Sequence, residues 1–141
     1  MEQIYKLTDA RGCTHGGTAW PLGVTQVATG GGPLCTAQWI HACTNPLVSV
    51  LMDPIHGDFG GTARMFRGEG EVGKRNPDGK VGLTSCTPLE WVDPPTVTTV
   101  QRIAFGILAS LEWPQSVDYT AWARAWLDGS NRTGAAARAA A

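Results

Sequence analysis

The sequence has no C-x2-C knuckle, no Gly-Lys-Ser/Thr phosphate loop, no apolar run long enough to span a bilayer and no surplus of charge of either sign. Each absence closes a class. Structural zinc sites usually draw paired ligands from tight knuckles, and nucleoside triphosphate loops end in Gly-Lys-Ser/Thr, which the Gly30-Gly31-Gly32-Pro33 run does not. A leader needs an apolar stretch near the N-terminus and a membrane helix needs about 20 apolar residues. With neither, the expected location is cytoplasmic, and no membrane partner is expected. A formal charge of −1 gives no global attraction to nucleic acid or to an acidic membrane. There is no internal repeat beyond a small alanine bias at the C-terminus.

What is present fits one domain of 141 residues, large enough for a core without staples. Glycine and proline crowd the first two thirds and thin out afterwards, which predicts a loop-rich β half followed by a helical half. Cys13, Cys35, Cys43 and Cys86 are even in number. Without a leader they are expected as free thiols in a reducing compartment.

The most informative stretch is Leu34–His56, which holds two cysteines, two histidines and a capped apolar run. Thr44 or Asn45 can cap a helix that opens on Pro46, where the missing N–H costs nothing. Leu47, Val48, Val50, Leu51 and Met52 are apolar nearly all round, so this short helix is expected to be buried, and Asp53-Pro54 to end it. Ala37–Cys43 leads in as a strand or tight turn.

Elsewhere, Ile4, Tyr5 and Leu7 predict an opening strand, and Thr18–Ala28 a second extended segment with Trp20 and Val24 as core contacts. Ala63–Val72 reads as a strand with one polar face. After the Asn76-Pro77-Asp78-Gly79 turn, Lys80–Leu83 and Pro88–Val92 pair back as two further strands. Val100, Ile103, Ala104, Ile107, Leu108 and Leu111 recur at helical spacing over Thr98–Glu112 and give one wide apolar face. Asp118 is expected to cap a second helix carrying Tyr119, Trp122, Ala123 and Trp126 on one side. The fold class is therefore α+β: a mainly antiparallel sheet with one short buried helix and two C-terminal amphipathic helices. The domain is expected over 1–134, with an alanine-rich tail over 135–141 too short to hold a helix alone.

Cys35, His41, Cys43 and His56 could in principle ligate zinc, but buried thiols and a hydrogen-bonded histidine are the expectation; no metal, cofactor or catalytic residue is assigned. Nothing local marks a cysteine as an activated nucleophile. Arg64, Arg67, Lys74, Arg75 and Lys80 gather on the predicted hairpin among Glu69, Glu71 and Asp78, either as a solvated face or as a contact surface for a small anionic ligand. Six tryptophans are many for this length. Most belong in a core, while Tyr119 and Trp122 can serve a partner or a second copy of the chain.

The pairs and triplets Leu34-Cys35, Trp39-Ile40-His41, Asn45-Pro46-Leu47 and Asp53-Pro54-Ile55-His56 resemble a pattern of small phage and prophage proteins. The resemblance continues through Lys80-Val81-Gly82 and Gln101–Leu108 into the alanine-rich tail. The resemblance implies no activity of its own; taken with the small size, the expected cytoplasmic location and the absence of a catalytic constellation, it leads to the expectation of a non-catalytic accessory protein in the host cytoplasm that binds and inhibits a host protein or complex, such as a bacterial defence system in the manner of an anti-CRISPR protein. A fainter resemblance is to ADP-ribosyltransferase-like enzymes, with Trp39–His41 and Glu69-Gly70-Glu71 at the matching positions, although no Arg or His opens the first strand. The remaining alternative is a pocket that sequesters a nucleotide-like ligand, with an aromatic floor and the hairpin's basic residues.

Overall fold

The computed structural model describes residues 1–140. The chain divides into two compact units, Met1–Thr96 and Val97–Ala141. The division follows Pro94-Pro95, whereas the expected boundary at 134/135 falls in the first turn of a helix. The α+β class and the mainly antiparallel sheet are as expected. No helix of the described residues is long and apolar enough to cross a membrane.

The first unit is built on strands β1 (Glu2–Thr8), β5 (Ile40–Cys43), β6 (Arg64–Arg75) and β7 (Lys80–Val92). All pairings are antiparallel, and because β6 pairs with both β1 and β7 while β5 joins β7 to β1, the four strands close into a ring. A two-residue β4 (Gln26–Val27) extends the sheet along β7, and β2 (Cys13–Thr14) pairs with β3 (Thr18–Ala19) separately. Alternation along β1 puts Ile4 and Lys6 on one face, opposite Gly68 and Phe66 of β6. The core holds Ile4, Phe66, Val81, Leu83 and Cys86, with Trp20 against Phe66 at 5.6 Å between ring centroids and Trp91 edge-on to Phe66 at 6.0 Å.

Residues 80–92 form one strand where two were expected. Three register shifts explain how: Thr84 and Leu89 are extra residues on β7, and Gly73 is extra on β6. Each bulge bends and twists the ribbon, which lets one long hairpin curl round to meet β1 and β5. Pro88 is tolerated inside β7 because it lies beside the Leu89 bulge and opposite Gly68.

Asn45 caps α1 (Pro46–Leu51), its side-chain oxygen accepting from the Leu47 N–H at 2.9 Å. Replacing Asn45 by Ala is expected to cost about 1 kcal/mol, seen as a lower urea midpoint with an unchanged slope. The helix packs against β1 and β5 on one side only: Ser49 and Val50 are buried, while Leu47 is 46% exposed. Asp53-Pro54 does not lead into a loop. Met52 closes α1, and Pro54 enters the first turn of α2 (Asp53–His56), where proline again costs nothing. Val24, expected in the core, is exposed because the Pro21–Val24 turn lifts it off the sheet.

In the second unit, α3 (Thr99–Leu111) opens on a reciprocal cap between Thr98 and Gln101. The cap of α4 (Val117–Leu127) is Ser116, two residues before the expected Asp118, which lies in the first turn where its charge still suits the helix dipole. The alanine-rich tail forms α5 (Gly134–Ala140) against α4, with the Thr133 hydroxyl accepting from the Ala136 N–H at 3.2 Å. Ile107, Ala123 and Trp126 form the small core of this unit. The expected wide apolar face of α3 is only partly used: Ala104 and Leu111 join the core, and Val100, Ile103 and Leu108 are exposed. One neighbouring helix covers one stripe, not a whole wide face.

Candidate functional site: a cleft over the short central strand

The first unit contains a cleft of about 980 Å³ within the range of small-ligand sites. Its floor follows from the shortness of β5. Four residues pair well with β7 but meet β1 only at Tyr5–Cys43, so the sheet is open beside them. The loop Cys35–Trp39, the segment Gln26–Thr29 and helices α1 and α2 stand around this opening. Across it, the His15 ring stacks on Phe59 at 5.2 Å, and His15 Nε2 pairs with the Gly57 carbonyl at 2.6 Å, tying the β2–β3 turn to the end of α2.

Two lysines line the cleft. Lys6 Nζ donates to the His41 carbonyl at 2.6 Å and lies 5.2 Å from the centre of the Trp20 ring. Lys80 is 8% exposed, and its Nζ lies 3.3 Å from Cys35 Sγ. Neither is in an ion pair; among the described residues those pairs are Asp9–Arg11, Arg67–Glu90 and Glu2–Arg75. The one carboxylate in the lining, Asp53, accepts instead from the Phe59 N–H at 3.2 Å. Trp39 also lines the cleft, and its buried indole N–H has no acceptor.

Burial lowers the Lys6 ammonium to about 8; the thiols of Cys86 and Cys43 oppose the shift and Lys80 adds to it. Burial likewise lowers His41 and His56, so both imidazoles are held toward the neutral form. Folded Lys6 therefore binds fewer protons than an unfolded lysine between about 8 and the ordinary 10.5. Stability linked to this group rises with pH across that window and carries its full penalty below it. Relative to Lys6→Met, which shares every other titrating group, the wild-type chain is expected to gain stability as pH rises from 8 to 10.5, measured by urea denaturation at stepped pH.

Of the basic residues expected on the hairpin, only Lys80 reaches the cleft. The Arg64 guanidinium covers the Trp91 ring at 3.8 Å, Lys74 donates to the Gly32 carbonyl at 2.8 Å, and Arg67 and Arg75 are in the ion pairs above. Tyr119 and Trp122 are in the second unit, their rings tilted at 54° with centroids 5.4 Å apart, and the Tyr119 hydroxyl lies 2.5 Å from Ser110 Oγ. They are half-buried, and the Trp122 N–H has no acceptor.

The four cysteines are unbridged. Three of the four candidate zinc ligands have other partners: Cys35 has Lys80, His41 the Leu34 carbonyl, and Cys43 Ser49. No group of three His, Cys, Asp or Glu side chains among the described residues is arranged to hold a metal. Trp39 and His41 line the cleft but Glu69 and Glu71 do not, and Glu71 accepts from the Thr84 hydroxyl at 3.1 Å.

Sequence reasoning missed Lys6, His15 and Phe59. For Lys6 a signal existed: it stands two residues after Ile4, so strand alternation puts both on the inward face. The His15–Phe59 stack joins residues 44 apart in sequence and left no local trace. No family model, curated protein or solved structure matches the chain.

Proposed function

We propose that the protein is a non-catalytic binding module whose cleft sequesters a small, planar, anionic ligand of nucleotide type. The observation that carries this reading is the pair Lys6 and Lys80: two ammonium groups in one concave site without a carboxylate partner. Buried charge is costly unless paired, and an anionic ligand would supply the missing partner. Trp20 and Trp39 stand in the lining as largely buried rings, 5% and 9% exposed, and make part of its floor apolar. This is the pocket alternative of the sequence reading, with Lys80 kept from the hairpin's basic residues and Lys6 in place of the other four.

The test is titration of the protein with AMP, adenosine and inorganic phosphate, followed by tryptophan fluorescence and calorimetry. AMP is expected to bind more tightly than either fragment. Lys80→Gln is expected to weaken it by about tenfold, roughly 1.4 kcal/mol. Absence of AMP binding at millimolar concentration, or equal affinity for adenosine, would remove the reading.

A second reading, inhibition of a host protein or defence complex by a phage-type accessory protein, is favoured by the exposed apolar side chains Val100, Ile103 and Leu108 on α3. It predicts that a host complex co-purifying with the tagged chain is lost from the Ile103→Glu, Leu108→Glu variant, while AMP binding is kept. Retention of the complex by that variant would count against α3 as the contact.

A further inference from the structure

Lys6 has the surroundings of a reactive amine rather than those of a structural cation. Its Nζ lies over the Trp20 ring and is held by one hydrogen bond to the His41 carbonyl, and it lines a cleft large enough for a small metabolite. The groups whose charge it feels are the thiols of Cys86 on β7 and Cys43 on β5 and the ammonium of Lys80 at the start of β7. No carboxylate holds it protonated.

We infer that Lys6 is a carbonyl-capturing amine, whose Nζ condenses with the aldehyde or ketone carbon of a small oxo acid while Lys80 holds that compound's anionic group. The lone pair of the neutral amine attacks the carbonyl carbon and forms the C–N bond, and the C=O π electrons move to oxygen, which takes up a proton. The nitrogen gives up one N–H proton, its lone pair then expels that hydroxyl with a second proton as water to leave the iminium, and loss of the remaining N–H proton gives the imine, so that two protons are taken up and two released. No electrons are gained or lost, and the protons exchange with solvent at the open cleft. One N–H can stay on the His41 carbonyl while the lone pair reacts, so the hydrogen bond that positions the amine does not block it. At pH 7 a group ionising near 8 is neutral in about one molecule in ten. An ordinary lysine amine is neutral in roughly one in several thousand. Desolvation of this kind is how lysines become nucleophiles toward carbonyl compounds.

The inference shares the cleft with the binding proposed above but not its ligand. An adduct without AMP binding discards that reading and keeps this one; AMP binding without an adduct does the reverse. The chain has only three lysines, Lys6, Lys74 and Lys80, so the wild-type protein carries its own control. It is incubated at pH 7 with glyoxylate, or with propanal as the uncharged counterpart, in the presence of cyanoborohydride, and adducts are located by peptide mass mapping. The expected result is Lys6 as the single lysine that carries an adduct, formed about tenfold faster with glyoxylate than with propanal, the scale of one charge-assisted hydrogen bond. Lys80→Gln is expected to keep the adduct at Lys6 but bring the two rates together, and Lys6→Arg to abolish it. Labelling of Lys74 as readily as Lys6 would overturn the inference. Labelling of Lys6 with no preference for glyoxylate would overturn the assignment to oxo acids.

Discussion

Phe66→Ala is expected to lower the free energy of unfolding by about 4 kcal/mol, near the upper end of single-site effects. Phe66 is fully buried and stands between Trp20 and Trp91, both within 6.0 Å of its ring centre. Truncation removes its transfer free energy and both aromatic contacts. It also leaves a cavity that cannot collapse, because the four-strand ring fixes its walls. The measurement is urea denaturation followed by tryptophan fluorescence. A loss below about 1.5 kcal/mol would mean that the ring closes over the gap, contrary to this packing. The cleft is expected to lose its ligand affinity in step, since Trp20 belongs to both the core and the lining.

Gly68→Ala is expected to cost about 3 kcal/mol although it adds a single methyl group. A Cβ at this position would lie 2.6 Å from the Thr87 carbonyl oxygen and 3.2 Å from Pro88 Cα. Both are backbone atoms held by the β6–β7 pairing, so nothing can swing aside. The control is Gly61→Ala, where the added methyl meets open space. It is expected to stay within about 0.5 kcal/mol of wild type. Equal effects at the two positions would show that the cost lies in backbone freedom and not in the close approach of β7.

The same two strands show how much could be read from the residues alone. The Asn76–Gly79 turn and the alternation before it mark the hairpin, and Thr44 and Asn45 stand as residue types fit to cap α1, of which Asn45 does so. Local chemistry speaks through local sequence. The bulges at Gly73, Thr84 and Leu89 are set by where β1 and β5 lie, and no window around those residues contains that information. Pro88 was therefore read as the start of a new strand. The cleft was legible only in part: Trp39, Cys35 and His41 were singled out as a cluster, but as structural groups. Lys6 is hard to place from the sequence because the apolar residues around it, Ile4, Tyr5 and Leu7, point to both faces of β1 and leave its inward face unmarked. The basic residues of the hairpin were read as one surface. Side chains on opposite faces of a bulged strand scatter, and four of the five found partners away from the cleft.

Closure of β7, β5, β1 and β6 on one another also bears on how the chain behaves at high concentration. A sheet that ends in a long unpaired strand offers a template to the next molecule, and self-association then grows by strand addition. Here β6 has neighbours on both sides, and the strand added outside the closed set, β4, runs for only two residues. The edge left open is that of β1 where it parts from β5, which it meets only at Tyr5–Cys43, and Tyr5, Lys6 and Leu7 of that edge line the cleft. Solutions of the folded first unit should therefore stay clear of fibrils, with any fibril growth waiting on the ring being opened first.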